Sequence, residues 1–171
     1  MSAPLAYADT SNAEGLFQEG LGAMKKNDYP AACDFFDKSN KADASPGTQI
    51  NLAICYEKQK KWASAWTWYR SAAGLAHQRE QGTREASATE SAKRIEPQLH
   101  YVVVAVKNPP TDMNVKRDGA DITVNAGGRD VPLPIDPGTH SLEITGTGRK
   151  KFTKSFTTPD TAGTDYRTQH T

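Results

Sequence analysis

The hydrophobic pattern changes character once along the chain. From residue 13 to residue 96, small and large apolar side chains recur at three- and four-residue steps, the spacing of one helix face. From residue 101 onward, β-branched residues cluster or alternate in runs of five or six between Gly, Pro, Asn and Asp, which marks short strands. Pro97 stands at the seam, and helices stop at or before such a residue. The pattern predicts an α+β chain in two segregated domains: helical hairpins plus a capping helix, then a small antiparallel β-sandwich. The bounds are a leader at 1–12, a helical domain at 13–97, the sandwich at 100–158 and a polar tail at 159–171. That tail reads equally as disordered, as one more strand, or as the beginning of a longer segment.

Self-comparison at an offset of 33 aligns Gly20 with Ala53, Lys25 with Lys58, Tyr29 with Trp62, Ala32 with Ala65, Phe35 with Trp68, Phe36 with Tyr69 and Ser39 with Ala72. Within each unit the small residues lie twelve apart, and an aromatic comes four later. A helical hairpin accounts for this. Gly20 faces Ala32 and Ala53 faces Ala65, so the backbones approach closely, and Phe36 or Tyr69 fills the groove one turn beyond. Asn27-Asp28-Tyr29 and Lys60-Lys61-Trp62 are the polar turns, and Ala44-Ser45-Pro46-Gly47 breaks the chain between units.

On these residues the stretch from 13 to 80 resembles the tetratricopeptide repeat family. Pro46 is slightly displaced from that family's usual proline, none comes after the second unit, and the period is one residue short. The resemblance implies stacked hairpins. Arg84 to Glu96 reads as the helix that covers the last apolar face, with Trp66 beneath it. Its packed side is expected to carry Ala86, Thr89, Ala92, Lys93 and Ile95. Its solvated side would hold Ala88 and a Glu90/Arg94 pair one turn apart.

Stacked hairpins curve, and their first helices line the concave side. That places Phe17, Leu21, Met24 and Lys25 beside Asn51, Ile54, Glu57 and Lys58: an apolar floor with a polar rim, suited to an extended peptide or a helix. The competing reading is that two hairpins make too shallow a groove and these residues only cover the core. Phe35 and Trp68 occupy a place that is usually polar in such repeats. They read as core packing or as an outer aromatic strip for docking. Cys33 and Cys55 are equidistant from residue 44, in the turn between antiparallel helices, so their sulfurs should be level. They are buried free thiols in a reducing compartment and a disulfide in an oxidising one.

In the second half, Tyr101 to Val106 is a buried strand stopped by Asn108-Pro109-Pro110, and Met113 to Arg117 is a second, closed by the hairpin turn Asp118-Gly119. Val131 to Ile135 alternates apolar residues with prolines and belongs on an edge. Asp136-Pro137-Gly138 turns the chain, and Ser141–Thr145 and Phe152–Thr157 alternate, with Phe152 and Phe156 on one face. Asp121 to Arg129 reads as a mobile loop. With Pro132-Leu133-Pro134 and Gly148-Arg149-Lys150, this order resembles the PEGA family of small bacterial β-domains over residues 101–158, although Pro110-Thr111-Asp112-Met113 lacks the namesake Gly-Ala. The resemblance implies an exported or surface protein.

Composition narrows the function classes. Lys and Arg total 21 against 20 Asp and Glu, spread evenly over both halves, so a dedicated nucleic-acid binder is not indicated. No run approaches the ~18 apolar residues of a membrane span. His77, His100, His140 and His170 have no metal-like spacing to each other or to the cysteines, and each reads as a solvated or capping histidine. There is no phosphate-binding loop and no nucleophile elbow. No cofactor or metal is expected. Ala6-Tyr7-Ala8 resembles the end of a secretory signal peptide, which together with the PEGA-like order suggests a periplasmic or cell-surface location. The expected function is a non-enzymatic interaction scaffold for a protein or peptide partner. The alternative is a structural subunit that self-associates through repeat ends or sheet edges.

Overall fold

A computed structural model describes residues 5–106, 110–122, 132–159 and 165–170. The chain divides after Pro97 into a helical unit and a β unit.

The helical unit comprises α1 (Leu5–Lys25), α2 (Tyr29–Ala42), α3 (Pro46–Lys58), α4 (Trp62–Gln78) and α5 (Gly82–Ile95). The ends of α1 and α3 lie 33 residues apart, as do the starts of α2 and α4, so the sequence period is the period of the hairpins. Part of the expected leader is helical. Neither Gly nor Pro interrupts the chain from Leu5 to Glu14, and α1 takes in positions 5–12; residues 1–4 of that leader lie outside the described residues.

Three turns share one backbone. Asn27, Lys60 and Glu80 sit in the left-handed region, with φ of 59°, 57° and 56°. The next amide reaches back to the helix each time: Asp28 N–H to Ala23 O (3.0 Å), Lys61 to Tyr56 (3.0 Å) and Gln81 to Ala76 (2.9 Å). These bonds satisfy carbonyls that the helix end would leave unpaired. The remaining break, before α3, is capped at the other end. Ser45 accepts from the Thr48 amide at 3.0 Å, and Pro46 opens the helix where a missing N–H costs nothing.

Packing repeats with the turns. A Cβ placed on Gly20 would lie 2.5 Å from Cε1 of Phe36, so the ring occupies the space the glycine leaves open. The ring thus sits on Gly20 itself, a closer engagement than the small-on-small crossing expected there. Phe36 also meets Phe17 (centroids 5.6 Å apart) and joins Ala32, Cys33, Leu52 and Cys55 in a buried cluster across α2 and α3. One period later Ala53, Ala65 and Tyr69 form the corresponding cluster with Ala92 and Ile95 of α5. Cys33 and Cys55 form a disulfide with their Cα atoms 5.6 Å apart, fastening one hairpin to the next.

α5 is rotated from its expected phase. Its buried line is Ala88, Ala92 and Ile95, whereas Ala86, Thr89 and Lys93 face solvent. With few large apolar residues, the helix offered two nearly equal faces; tertiary packing of Ile95 beside Tyr69 selects one. Arg94 reaches Glu57 on α3 instead of Glu90 on its own helix.

The β unit begins after a short 3₁₀ turn, Glu96–Gln98. Its strands are β1 (His100–Val106), β2 (Asn114–Arg117), β3 (Ala120–Ile122), β4 (Pro132–Ile135), β5 (Gly138–Thr145), β6 (Phe152–Thr158) and β7 (Asp165–His170). They form two sheets, ordered β4-β1-β7 and β3-β2-β5-β6. Val102, Val104 and Ile135 of the first sheet share one core with Val115, Leu142, Ile144 and Phe156 of the second, which makes the pair a sandwich. Phe152 packs on that core beside Phe156. β4, with Pro132 and Pro134, is an edge strand. Asp118 and Gly119 both have positive φ (52° and 81°), the geometry of a two-residue hairpin turn.

One ladder departs from the antiparallel pattern. β7, from the stretch read as a polar tail, pairs parallel to β1, with Tyr101 opposite Asp165 and Val106 opposite His170. Asn108-Pro109 and residues 123–129 of the expected loop lie outside the described residues.

Candidate partner-binding faces

The first helices of the two hairpins carry the candidate groove residues. Phe17, Leu21 and Met24 on α1 are half-buried, giving one side to the Phe36 cluster and leaving the other in water. Ile54 on α3 is also half-buried but packs on the Tyr69 cluster. The sequence candidates therefore rest on two successive cores. Lys25 and Lys58 are exposed in the last turns of α1 and α3, where a cation complements the helix dipole. Asn51 spends its amide on Gly47 O at 2.9 Å.

Glu57 has an internal task. Its carboxylate accepts both Arg94 guanidinium nitrogens at 2.8 Å and the Tyr69 hydroxyl at 2.9 Å, tying α3, α4 and α5 together. Burial alone would raise the Glu57 pKa, but Arg94 and Tyr69 outweigh it and hold the carboxyl below its usual range. Burial first, then the bond to Glu57, push the Tyr69 hydroxyl above its ordinary value. Sequence spacing pointed Arg94 at Glu90, and no local signal marks the longer pairing.

Phe35 and Trp68 are both half-buried and pack against the cluster of Ala32, Cys33, Leu52 and Cys55, with Lys38 Nζ 6.0 Å from the Phe35 ring centre. Each therefore gives part of its surface to the junction between hairpins. The Gln59 side chain donates to Cys33 Sγ at 3.0 Å, covering the disulfide from one side.

Two of the clefts on the helical unit bear on partner binding. The smaller, about 270 Å³, is bounded by Phe17 and by Ser39, Asp43, Ser45 and Thr48 at the junction before α3. The larger, about 620 Å³, runs between α4 and α5 and was not signalled by the sequence beyond Trp66. Among the described residues, no three His, Cys, Asp or Glu side chains gather as a metal site, and no helix is long and apolar enough to cross a membrane. In the β unit, His140 faces two acceptors, Asp118 Oδ2 at 2.7 Å and Asp136 O at 2.8 Å, so its ring is committed to holding the β2–β3 turn.

No protein-family model and no curated protein matches the chain. Among solved structures it is similar to the Arabidopsis OM64 TPR domain, with a TM-score of 0.38 and 16% identity, over 53% of this chain and 87% of that one. A likeness of that size carries no argument about the site. The helical-repeat description rests on the hairpins themselves: three matching turns and two matching cores, one period apart where the hairpins repeat.

Proposed function

We propose that the chain is a non-enzymatic protein-interaction module that takes a peptide or protein segment across α1 and α3. The observation that carries this reading is the set of half-buried apolar side chains on the first helices, Phe17, Leu21, Met24 and Ile54, which the repeated cores leave partly in water. Covering the half of such a side chain still in water yields roughly half of the ~1.5–3 kcal/mol of full burial, so several of them together anchor a partner. Lys25 and Lys58 at the rim suit a segment with acidic or carbonyl acceptors. Glu57, committed to Arg94 and Tyr69, orients the helices and does not contact the partner. The PEGA-like strand order and the Cys33–Cys55 bridge support a secreted or surface-displayed protein, since such bridges persist in oxidising compartments.

A photo-crosslinking amino acid at position 24 or 54, in cells of the natural host, should trap the same partner. The pair Met24→Asp and Ile54→Asp should abolish trapping by a probe at Leu21 while leaving helicity intact. Trapping that survives both charges refutes the assignment of this face.

A further inference from the structure

α5 packs Ala92 and Ile95 on the Tyr69 cluster as α3 packs Leu52 and Cys55 on the Phe36 cluster, so α5 stands where the first helix of a third unit would. Beyond α5 the chain enters a 3₁₀ turn and a strand instead of a returning helix. In the preceding repeat that place is filled: α4 lays Trp68 over the cluster made by α2 and α3. The corresponding cleft between α4 and α5 is open, with about 620 Å³ of space above a floor that includes Ala73, Gly74 and Ala92.

The charges along this cleft are arranged unevenly. At the turn end, His77 and Glu85 pair at 3.1 Å, and Glu96 and Trp66 line the cleft farther along. Seven residues inward from His77 and Glu85 the hairpin brings Arg70 level with Ala92 and its neighbour Lys93. Arg70 lies on the Trp66 ring, 4.7 Å from its centre, which holds the guanidinium in place. Among the described residues neither Arg70 nor Lys93 makes an ion pair. Arg70 and Lys93 line this stretch beside Trp66 and Ala92, with Glu85 and Glu96 toward the two ends of the cleft, and an incoming carboxylate would give them the ion pair they lack.

We propose that the α4–α5 cleft seats an amphipathic helix of a partner protein, which completes the repeat and brings a carboxylate between Arg70 and Lys93. The site is separate from the α1–α3 face, and either can exist without the other. From Trp66 to His77 the cleft runs roughly 16 Å, room for three turns of a visiting helix. The floor's small side chains admit its backbone closely.

The probe is a stapled, fluorescein-labelled helical peptide of about 16 residues with Leu, Ala and Glu along one face, beside a twin with Lys in place of Glu. In fluorescence anisotropy on the full chain, the Glu peptide should bind at least about tenfold more tightly than its twin. Arg70→Glu with Lys93→Glu should reverse that preference. Gly74→Trp should abolish binding of both peptides, since a side chain there meets no atom within 4 Å and would project into open space. Met24→Asp alone, on the other cluster, should change nothing, which separates this site from the α1–α3 face. Equal binding of the twins, no binding of either, or indifference to Gly74→Trp overturns the proposal. So does concentration-dependent self-association that Gly74→Trp removes, because the seat would then belong to a second copy of the chain.

Discussion

In the helical unit, geometry is held by what fills space: a ring over Gly20, a second ring one period later, and a disulfide between the hairpins. In the β unit it is held more by turns. Asp118 accepts from the Ser141 amide at 2.8 Å and contacts His140, while Asp112 accepts from the Thr147 amide at 3.0 Å. The contrast arises from the elements. A helix satisfies its own backbone and needs only a shape to pack against, whereas a short strand depends on its neighbour's register, which the turn sets. Damage should therefore track side-chain volume in one unit and polar turn chemistry in the other.

The largest effects should come from the Gly20–Phe36 contact. Phe36→Ala should destabilise the helical unit by about 4 kcal/mol and Gly20→Val by about 3 kcal/mol, one by emptying the contact and the other by overfilling it. Both are measurable by denaturant titration with tryptophan fluorescence, which reports this unit because Trp62, Trp66 and Trp68 all lie in it. Next comes the bridge. Its 22-residue separation implies about 3 kcal/mol of stabilisation, lost from the helical unit when Cys33 and Cys55 are both replaced by Ser. Amide exchange in β2 and β5 should not change; a parallel loss there would erase the contrast.

The polar turn should show itself through pH. Burial works to raise the Asp118 pKa, but His140 and the Ser141 amide outweigh it and the folded value is depressed. Such a carboxylate contributes its full stability above its unfolded value, near 3.8, and loses it as pH falls through the lower folded value. Asp118→Asn keeps a residue that tolerates the left-handed turn and removes the charge. Protection of β2 and β5 should then be lower at neutral pH and fall less steeply between about pH 5 and about pH 2. An unchanged acid slope would count against the turn. The smallest effect lies in the helical turns. Lys60→Gly should stabilise by about 0.5 kcal/mol, whereas Asn27→Gly should do almost nothing, because asparagine already accepts that backbone.

Much of this was legible because the residues that decide it are extreme types. Glycine and alanine under aromatics one period apart, Ser45-Pro46 at a helix start, Asp118-Gly119 at a hairpin and Pro132 and Pro134 on an edge each permit few conformations. The level of the two cysteines came from their distance to the intervening turn. The features that escaped lacked such residues. α5 has alanines on two faces, so its phase was settled by Tyr69 and the α3 carboxylate, which local spacing cannot see. β7 is polar and has no hydrophobic alternation, and its parallel partner is more than sixty residues away. The α4–α5 cleft escaped because Ala73, Gly74 and Ala92 on its floor form no pattern that local spacing would tell from a packed face.

The central claim is that residues one period apart occupy equivalent places in successive hairpins. Nuclear Overhauser spectroscopy on the intact chain tests it most directly. The Gly20 α-protons should show strong cross-peaks to the Phe36 ring and ring-current shifts upfield, and the Ala53 methyl should show cross-peaks to the Tyr69 ring. Cross-peaks in the first pair without the second would contradict the equivalence on which both proposed faces depend.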